Sequence, residues 1–271
     1  MEPTQEKRKG IESEPHLQVI DLSVIIPTFN AKSRAKTTAE TLVARLADSG
    51  LRSEIVLVDD GSREEERPDP ASMPAGVGVF QVEHNRGKGH AVRAGLGVTS
   101  GRARIFTDVD LPYGTESILE CYEKLDQGNF DFVYGDRSLP ESRILARLRK
   151  RRRLSSIVFR GAVLTIAGLR QADTQCGIKG LRGRVAEAML PVLKVDGFAF
   201  DVEMFCCARD NGLSTAPMSV HLANADDSTV RLLRDSAHMM GDLMAIRARS
   251  AQGKYRFSAG ELAAAGAPHQ A

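Results

Sequence analysis

Two carboxylates two positions apart, Asp108 and Asp110, follow the apolar run Ala103-Arg104-Ile105-Phe106-Thr107. At the end of a buried strand, unpaired charge is expensive. A hard cation such as Mg²⁺ resolves that cost, because it takes carboxylate oxygens together with substrate phosphates. The pair therefore points to a nucleoside diphosphate, with a plain polar strand-to-loop transition as the bland alternative. Three more polar clusters follow apolar runs: Pro27-Thr28-Phe29-Asn30, Asp59-Asp60-Gly61-Ser62 and Asn85-Arg86-Gly87-Lys88-Gly89. Asp59 and Asp60 could accept from a base N–H or a ribose hydroxyl, with Gly61 for a tight turn. Taken alone, an ordinary Asp-Gly turn is the better explanation of them. Lys88, between two glycines and before a helix, suits phosphate; a solvated basic turn competes. Neither a P-loop signature nor a dinucleotide fingerprint is present.

These clusters need elements to hold them. Leu22–Ile26, Glu54–Val58, Val77–Val82 and the run before Asp108 read as strands. Helical spacing covers Ser33–Asp48, His90–Val98 and Tyr113–Leu125, and Phe130–Tyr134 is strand-like. Alternation of this kind implies βαβ units and a largely parallel sheet, with function at the carboxyl ends of the strands. Four polar clusters on successive strands would line one crevice. Downstream, Arg143–Leu169 reads as one long helix or two, basic from Arg147 to Arg153 and apolar after it. Gln171–Gly180 reads as a loop, Asp201–Asp210 and Val230–Arg249 as helices, with Met239, Met240 and Met244 expected in the core. His221, after a strand-like stretch, is expected to be packed or exposed rather than a metal ligand.

The 271 residues suffice for one large α/β domain or two small ones. A net charge of +2 and the lack of a recognition motif exclude nucleic acid as the expected partner. Cys121, Cys176, Cys206 and Cys207 form no C-x-x-C pair, which argues for a reducing compartment and against zinc. No signal peptide and no apolar stretch of roughly 18 residues is visible, so a cytoplasmic protein is expected, peripheral at the inner membrane face at most. Residues 1–20 read as a disordered leader, 21–249 as the domain and 250–271 as a flexible tail.

Together the motifs resemble the family 2 glycosyltransferases. The resemblance rests on Val24–Asn30, Ile55–Ser62, Asn85–Gly89 and Asp108-Val109-Asp110, then on Gly135-Asp136-Arg137, Asp173–Lys179 and Phe198–Glu203. It looks most like the dolichyl-phosphate glucosyl- and mannosyltransferase branch and covers roughly residues 21–249. It implies a Rossmann-like GT-A domain with a mostly parallel sheet: 21–112 would bind the nucleotide sugar and 113–249 the acceptor. It further implies inverting transfer from an NDP-sugar, such as UDP-glucose, with Mg²⁺ or Mn²⁺. Carried over, Pro27, Thr28, Asn30, Asp59, Asp60, Gly61, Lys88, Asp108 and Val109 would face the nucleotide sugar, and Asp108 and Asp110 the metal.

A hydroxyl acceptor needs a general base. Asp173 is the first candidate, with Asp201 and Glu203 behind it; a turn carboxylate is the competing reading of Asp173. A phosphate acceptor needs cations instead, and Arg137, Arg151 and Arg160 could supply them, with Gln175 beside them. The basic run and the apolar stretch over 147–169 could dock on an anionic membrane, or be a solvated face. The sequence departs from the family pattern at Ala31 (usually Glu), at Asp136 (usually Ser), at Leu111-Pro112-Tyr113, and in lacking the transmembrane helices common in that branch. The last departure favours a soluble small-molecule acceptor over a polyprenyl phosphate. A sugar-nucleotidyltransferase and a non-catalytic nucleotide-sugar-binding protein are the alternatives. Oligomeric state stays open, with a homodimer one option.

Overall fold

A computed structural model describes residues 19–144, 160–171, 173–222 and 232–264. Its first half alternates strand and helix: β1 (Leu22–Thr28), α1 (Lys32–Ala47), β2 (Ser53–Asp60), β3 (Val77–Val82), α2 (Lys88–Val98), β4 (Ala103–Phe106), α3 (Glu116–Asp126) and β5 (Phe132–Gly135). The second half adds β6 (Arg143–Ile144), a helical turn over 160–167, β7 (Lys179–Arg182), α4 (Gly183–Met189), α5 (Phe200–Asp210), β8 (Thr215–Met218), β9 (His221–Leu222), α6 (Leu232–Ala251) and α7 (Ala259–Ala264). Seven strands form one sheet in the order β3-β2-β1-β4-β7-β5-β8, while β6 and β9 pair separately. Only β7 runs against its neighbours in the large sheet.

Helices cover both faces, which is why the central strands are apolar without alternation. In β1, Leu22, Val24 and Ile26 pack with α1 and α3, whereas Ile25 enters the core that contains residues of α2, α4 and α5. The reversed strand decides where the second half of the site falls. Because β7 is antiparallel, the loop that enters it lies at the same edge as the carboxyl ends of β4 and β5.

Several expectations need correction. Gln171–Gly180 does not stay a loop, since Lys179 and Gly180 open β7; a four-residue strand is too short to show a period. Arg143–Ile144 is a strand, not the start of a helix, and the basic run Arg147–Arg153, Arg151 included, lies outside the described residues. Met240 and Met244 are exposed, 41% and 56%, because α6 turns Leu243 and Ile246 inward instead. The chain past 249 is not a frayed tail among the described residues. Helix α6 runs to Ala251, and Tyr255 is wholly buried in the core. Tyr255 anchors that segment with Phe257 and Leu262 packed beside it, too few apolar residues to leave a periodic signal.

Candidate active site

Strands β2, β1 and β4 are adjacent and parallel, so Asp59-Asp60-Gly61, Pro27-Thr28 and Asp108-Val109-Asp110 emerge along one edge. Each cluster is tied to the next. The Thr28 hydroxyl donates to the Val58 carbonyl (3.3 Å), and the Asn30 amide donates to Ser62 Oγ (2.7 Å). Asn30 Oδ1 accepts from the Arg63 amide (3.0 Å). Asp59 is buried and spends its carboxylate on Ser62 and on an ion pair with Arg67 (3.5 Å). Asp60 accepts from the Arg86 and Gly87 amides (3.2 and 2.7 Å). It thereby anchors the loop that starts α2, where orphan amides favour a negative group. Gly61 is required there: its φ is +70°, and an added Cβ would lie 2.5 Å from the Asn85 nitrogen. Val109 presents its carbonyl to the Thr38 hydroxyl. Ala31 begins α1 without a capping side chain.

Lys88, the first residue of α2, reaches across to the Asp108 carboxylate. Burial pulls its pKa down, but the charges of Asp108 and Asp201 outweigh that and hold it above the ordinary lysine value. Asp108 is about one-third exposed and Asp110 is exposed. The backbone at Gly177 presses so closely on the Asp108 carboxylate that a Cβ there would collide with it. Among the described residues no three metal-capable side chains converge. Two carboxylates with a lysine on one of them fit a hard divalent cation whose remaining ligands come from diphosphate and water.

The second cluster stands at the same edge. Arg137 follows β5, and its Nε and Nη2 donate to Asp173 at 2.6 and 2.8 Å, with its amide adding 3.1 Å. Burial raises the Asp173 pKa, but the Arg137 hydrogen bonds and charge outweigh it and hold the carboxyl below the usual range. Arg137 is correspondingly raised against its own burial. Gln175 donates its amide to Asp173 (3.2 Å), and its side-chain nitrogen is buried without a hydrogen-bond partner. Asp136 caps its own turn by accepting from the Ser138 amide and hydroxyl.

The alternative base candidates do not face an acceptor. Asp201 is buried on α5 and ion-paired to Lys179 at 2.7 Å. Glu203 is wholly buried and accepts from the Lys194 and Val195 amides and the Tyr255 hydroxyl. Arg160 is exposed on the helical turn over 160–167, which packs on α5 and α6. His221 is exposed. Sequence reasoning misses two residues. Tyr113, part of the Leu-Pro-Tyr departure, is buried and accepts from the Gly177 amide (3.5 Å). Lys179, at the end of the quoted Asp173–Lys179 stretch, is fully buried. A lysine within an otherwise apolar run was the available signal.

A mostly parallel α/β sheet with one reversed strand, carrying acidic and basic loops at one edge, is the architecture of the GT-A fold. The family model described as Glycosyl transferase family 2 matches residues 23–184, and the chain belongs to that family. Among curated proteins it is similar to the dolichyl-phosphate beta-glucosyltransferase of Dictyostelium discoideum, 26% identical over 88% of this chain and 77% of that protein. The Saccharomyces cerevisiae protein of the same name is 28% identical over the same shares. An undecaprenyl-phosphate 4-deoxy-4-formamido-L-arabinose transferase of Edwardsiella ictaluri is 31% identical over 62% of this chain and 51% of its own. The fold matches glucosyl-3-phosphoglycerate synthase from Mycobacterium tuberculosis, solved with Mn²⁺, UDP and glucosyl-3-phosphoglycerate. The TM-score is 0.60 at 18% identity, covering 86% of this chain and 80% of that one. Family membership sets the nucleotidyltransferase alternative aside.

Proposed function

We propose that this glycosyltransferase moves a hexose, with UDP-glucose the first donor to test, onto a polyprenyl phosphate with inversion. The observation that carries the reading is the Arg137–Asp173 pair. A hydroxyl acceptor needs a base that can take its proton near neutral pH. Asp173 is held below the usual carboxylate range by Arg137, while Asp201 and Glu203 are buried in internal contacts. A phosphate oxygen is already ionised and needs a cation rather than a base. Asp173 takes two of the three guanidinium nitrogens of Arg137 and so orients it, leaving an edge for a second anion. The names of the relatives, dolichyl- and undecaprenyl-phosphate transferases, support the same acceptor class. This reading replaces the soluble small-molecule acceptor favoured from the missing membrane helices.

On the donor side Asp108 and Asp110 would hold the divalent cation, Mg²⁺ or Mn²⁺. When bound, it would neutralise charge gathering on the departing diphosphate. Lys88 supplies a second positive charge to the diphosphate from the N-terminus of α2. Arg137 binds and aims the acceptor phosphate for in-line attack on the anomeric carbon. Among the described residues no helix is long and apolar enough to cross a membrane. Exposed Leu164 on the turn over 160–167 and Met240 and Met244 on α6, elements that pack together, support peripheral contact with the lipid that carries the acceptor.

The test is transfer from radiolabelled UDP-glucose in detergent micelles with Mn²⁺. Dolichyl or undecaprenyl phosphate should be glucosylated, and the matching free alcohol should not. Transfer confined to hydroxyl acceptors would overturn the proposal, and tight UDP binding with no turnover on any acceptor would mark a binding protein.

A further inference from the structure

Behind the crevice, Lys179 is wholly buried, yet it makes three contacts that face different parts of the site. Its Nζ donates to the Cys176 carbonyl at 2.5 Å, inside the Asp173–Gly177 loop. It pairs with Asp201 Oδ1 at 2.7 Å. It also lies 5.7 Å from the centre of the Phe106 ring, two residues before Asp108 and its register partner across β4 and β7. Asp201 stands in the first turn of α5 beside Phe200, whose Cβ lies so close to Gly89 that an added Cβ there would be 2.5 Å away; Gly89 follows Lys88, which holds Asp108. Charges alternate along this line: Lys179, Asp201, Lys88, Asp108. A buried ion pair of this kind is weak evidence for stability, because desolvation cancels much of its attraction. Its geometry serves another end. One end grips the loop that carries Asp173 and Gln175, and the other bears on the lysine at the start of α2.

We infer that Lys179 and Asp201 are positioning residues that set Lys88 in register with the Asp173–Gly177 loop. The pair places the diphosphate-binding charge relative to the acceptor cluster and touches neither substrate. The inference rests on Lys88 as a diphosphate ligand, and not on the identity of the acceptor.

The test is calorimetric titration of UDP in the presence of Mn²⁺, with melting temperature recorded for every variant. The double variant Lys179→Met/Asp201→Asn removes both charges and keeps the volume, so it should melt near the wild type. Its Kd for UDP should nevertheless rise on the order of tenfold, as expected for coupled neighbours. In a Lys88→Ala background the same double substitution should change Kd by less than about twofold. An unchanged Kd in the double variant, or an equal loss with Lys88 absent, would overturn the inference and leave the pair a purely structural one. Lys88→Ala alone binding UDP as tightly as the wild type would instead overturn the donor-site reading, and the pair's role with it. Should the double variant fail to fold, Asp201→Glu keeps the charge and moves the carboxylate by one methylene. Weakened UDP binding would then support the inference, and wild-type affinity would sink it.

Discussion

On the donor side, Thr28, Asp60 and Asp108 stand at the ends of parallel strands; backbone holds Thr28 and Asp60, and the Lys88 side chain holds Asp108. The amides of Arg86 and Gly87 fix Asp60, and the Val58 carbonyl fixes Thr28. On the acceptor side, side-chain pairs join distant elements, Arg137 on Asp173, Lys179 on Asp201 and Tyr255 on Glu203, with backbone amides adding to Asp173 and Glu203. Backbone-held groups are placed by the fold itself and leave a short local pattern in the chain. Pairs such as Arg137–Asp173 join residues 36 positions apart and exist only once β5 and β7 are neighbours. The comparison teaches that the donor residues take their places chiefly from neighbouring strand ends and the acceptor residues chiefly from side-chain pairs between distant segments, so the two halves should break differently.

The largest effect should come from the donor side. Asp110→Ala should lower kcat by about 10² to 10³, the usual scale for losing one preorganised charge-stabilising contact. Wild-type activity should vanish with EDTA, whereas the residual activity of the variant should not depend on Mn²⁺. Wild-type activity undiminished by EDTA would remove the metal from the mechanism.

Next comes Arg137. Arg137→Lys keeps a charge but loses the fork that grips both Asp173 oxygens. The KM for polyprenyl phosphate should rise by roughly 10- to 100-fold, with the Kd for UDP unchanged. If UDP affinity fell equally, the division between the halves would be wrong. The pH dependence follows from Asp173. Its folded pKa lies below its unfolded value near 3.9. Its contribution to stability is therefore complete above about pH 4 and lost as pH falls through the folded value. Between pH 5 and 8 the carboxylate does not titrate, so Asp173→Asn should leave the shape of the pH–rate profile unchanged. Loss of an acidic limb in that variant would restore Asp173 as a general base and favour a hydroxyl acceptor.

The same contrast explains which parts of the molecule are legible in the sequence. Strands β1 to β4 and the residues at their ends are legible because apolar runs and Asp-Asp-Gly-Ser, Asn-Arg-Gly-Lys-Gly and Asp-Val-Asp are contiguous. Arg137, Asp173 and Gln175 are named through a resemblance, and the structure brings them together. Their arrangement is not legible: the sequence offers Asp173 as a base, whereas its oxygens lie on Arg137. Lys179 and Tyr113 carry no motif of their own. The exposure of Met240 and Met244 escapes the sequence because helical spacing identifies a stripe without saying which way α6 faces.

Glycines on the two sides give a smaller effect. Gly61→Ala forces a Cβ within 2.5 Å of backbone that cannot retreat, at φ +70°. It should cost about 2–3 kcal/mol by chemical denaturation and weaken UDP binding as well. Gly241, in the interior of α6, has nothing within 4 Å of an added Cβ. Gly241→Ala should be stabilising by roughly 0.5–1 kcal/mol and leave UDP affinity alone. Equal effects from the two would mean that the turn after β2 is not under the constraint its geometry describes.

The smallest effect tests whether the segment past Ala251 belongs to the acceptor half. Tyr255 donates to Glu203 at 2.9 Å and lies under the Arg249 guanidinium, 5.3 Å from ring centre to charge. Tyr255→Phe keeps the ring and its packing and removes only the hydroxyl. Glu203 retains the Lys194 and Val195 amides, so the carboxylate is weakened rather than orphaned. The loss should be about 1.5 kcal/mol, which for a domain of this size lowers Tm by roughly 3–6 °C. UDP affinity should not move, because the ring, the Glu203 carboxylate and its two amide contacts stay in place. An unchanged Tm would mean that the tail is frayed after all, and that α5 is held without it.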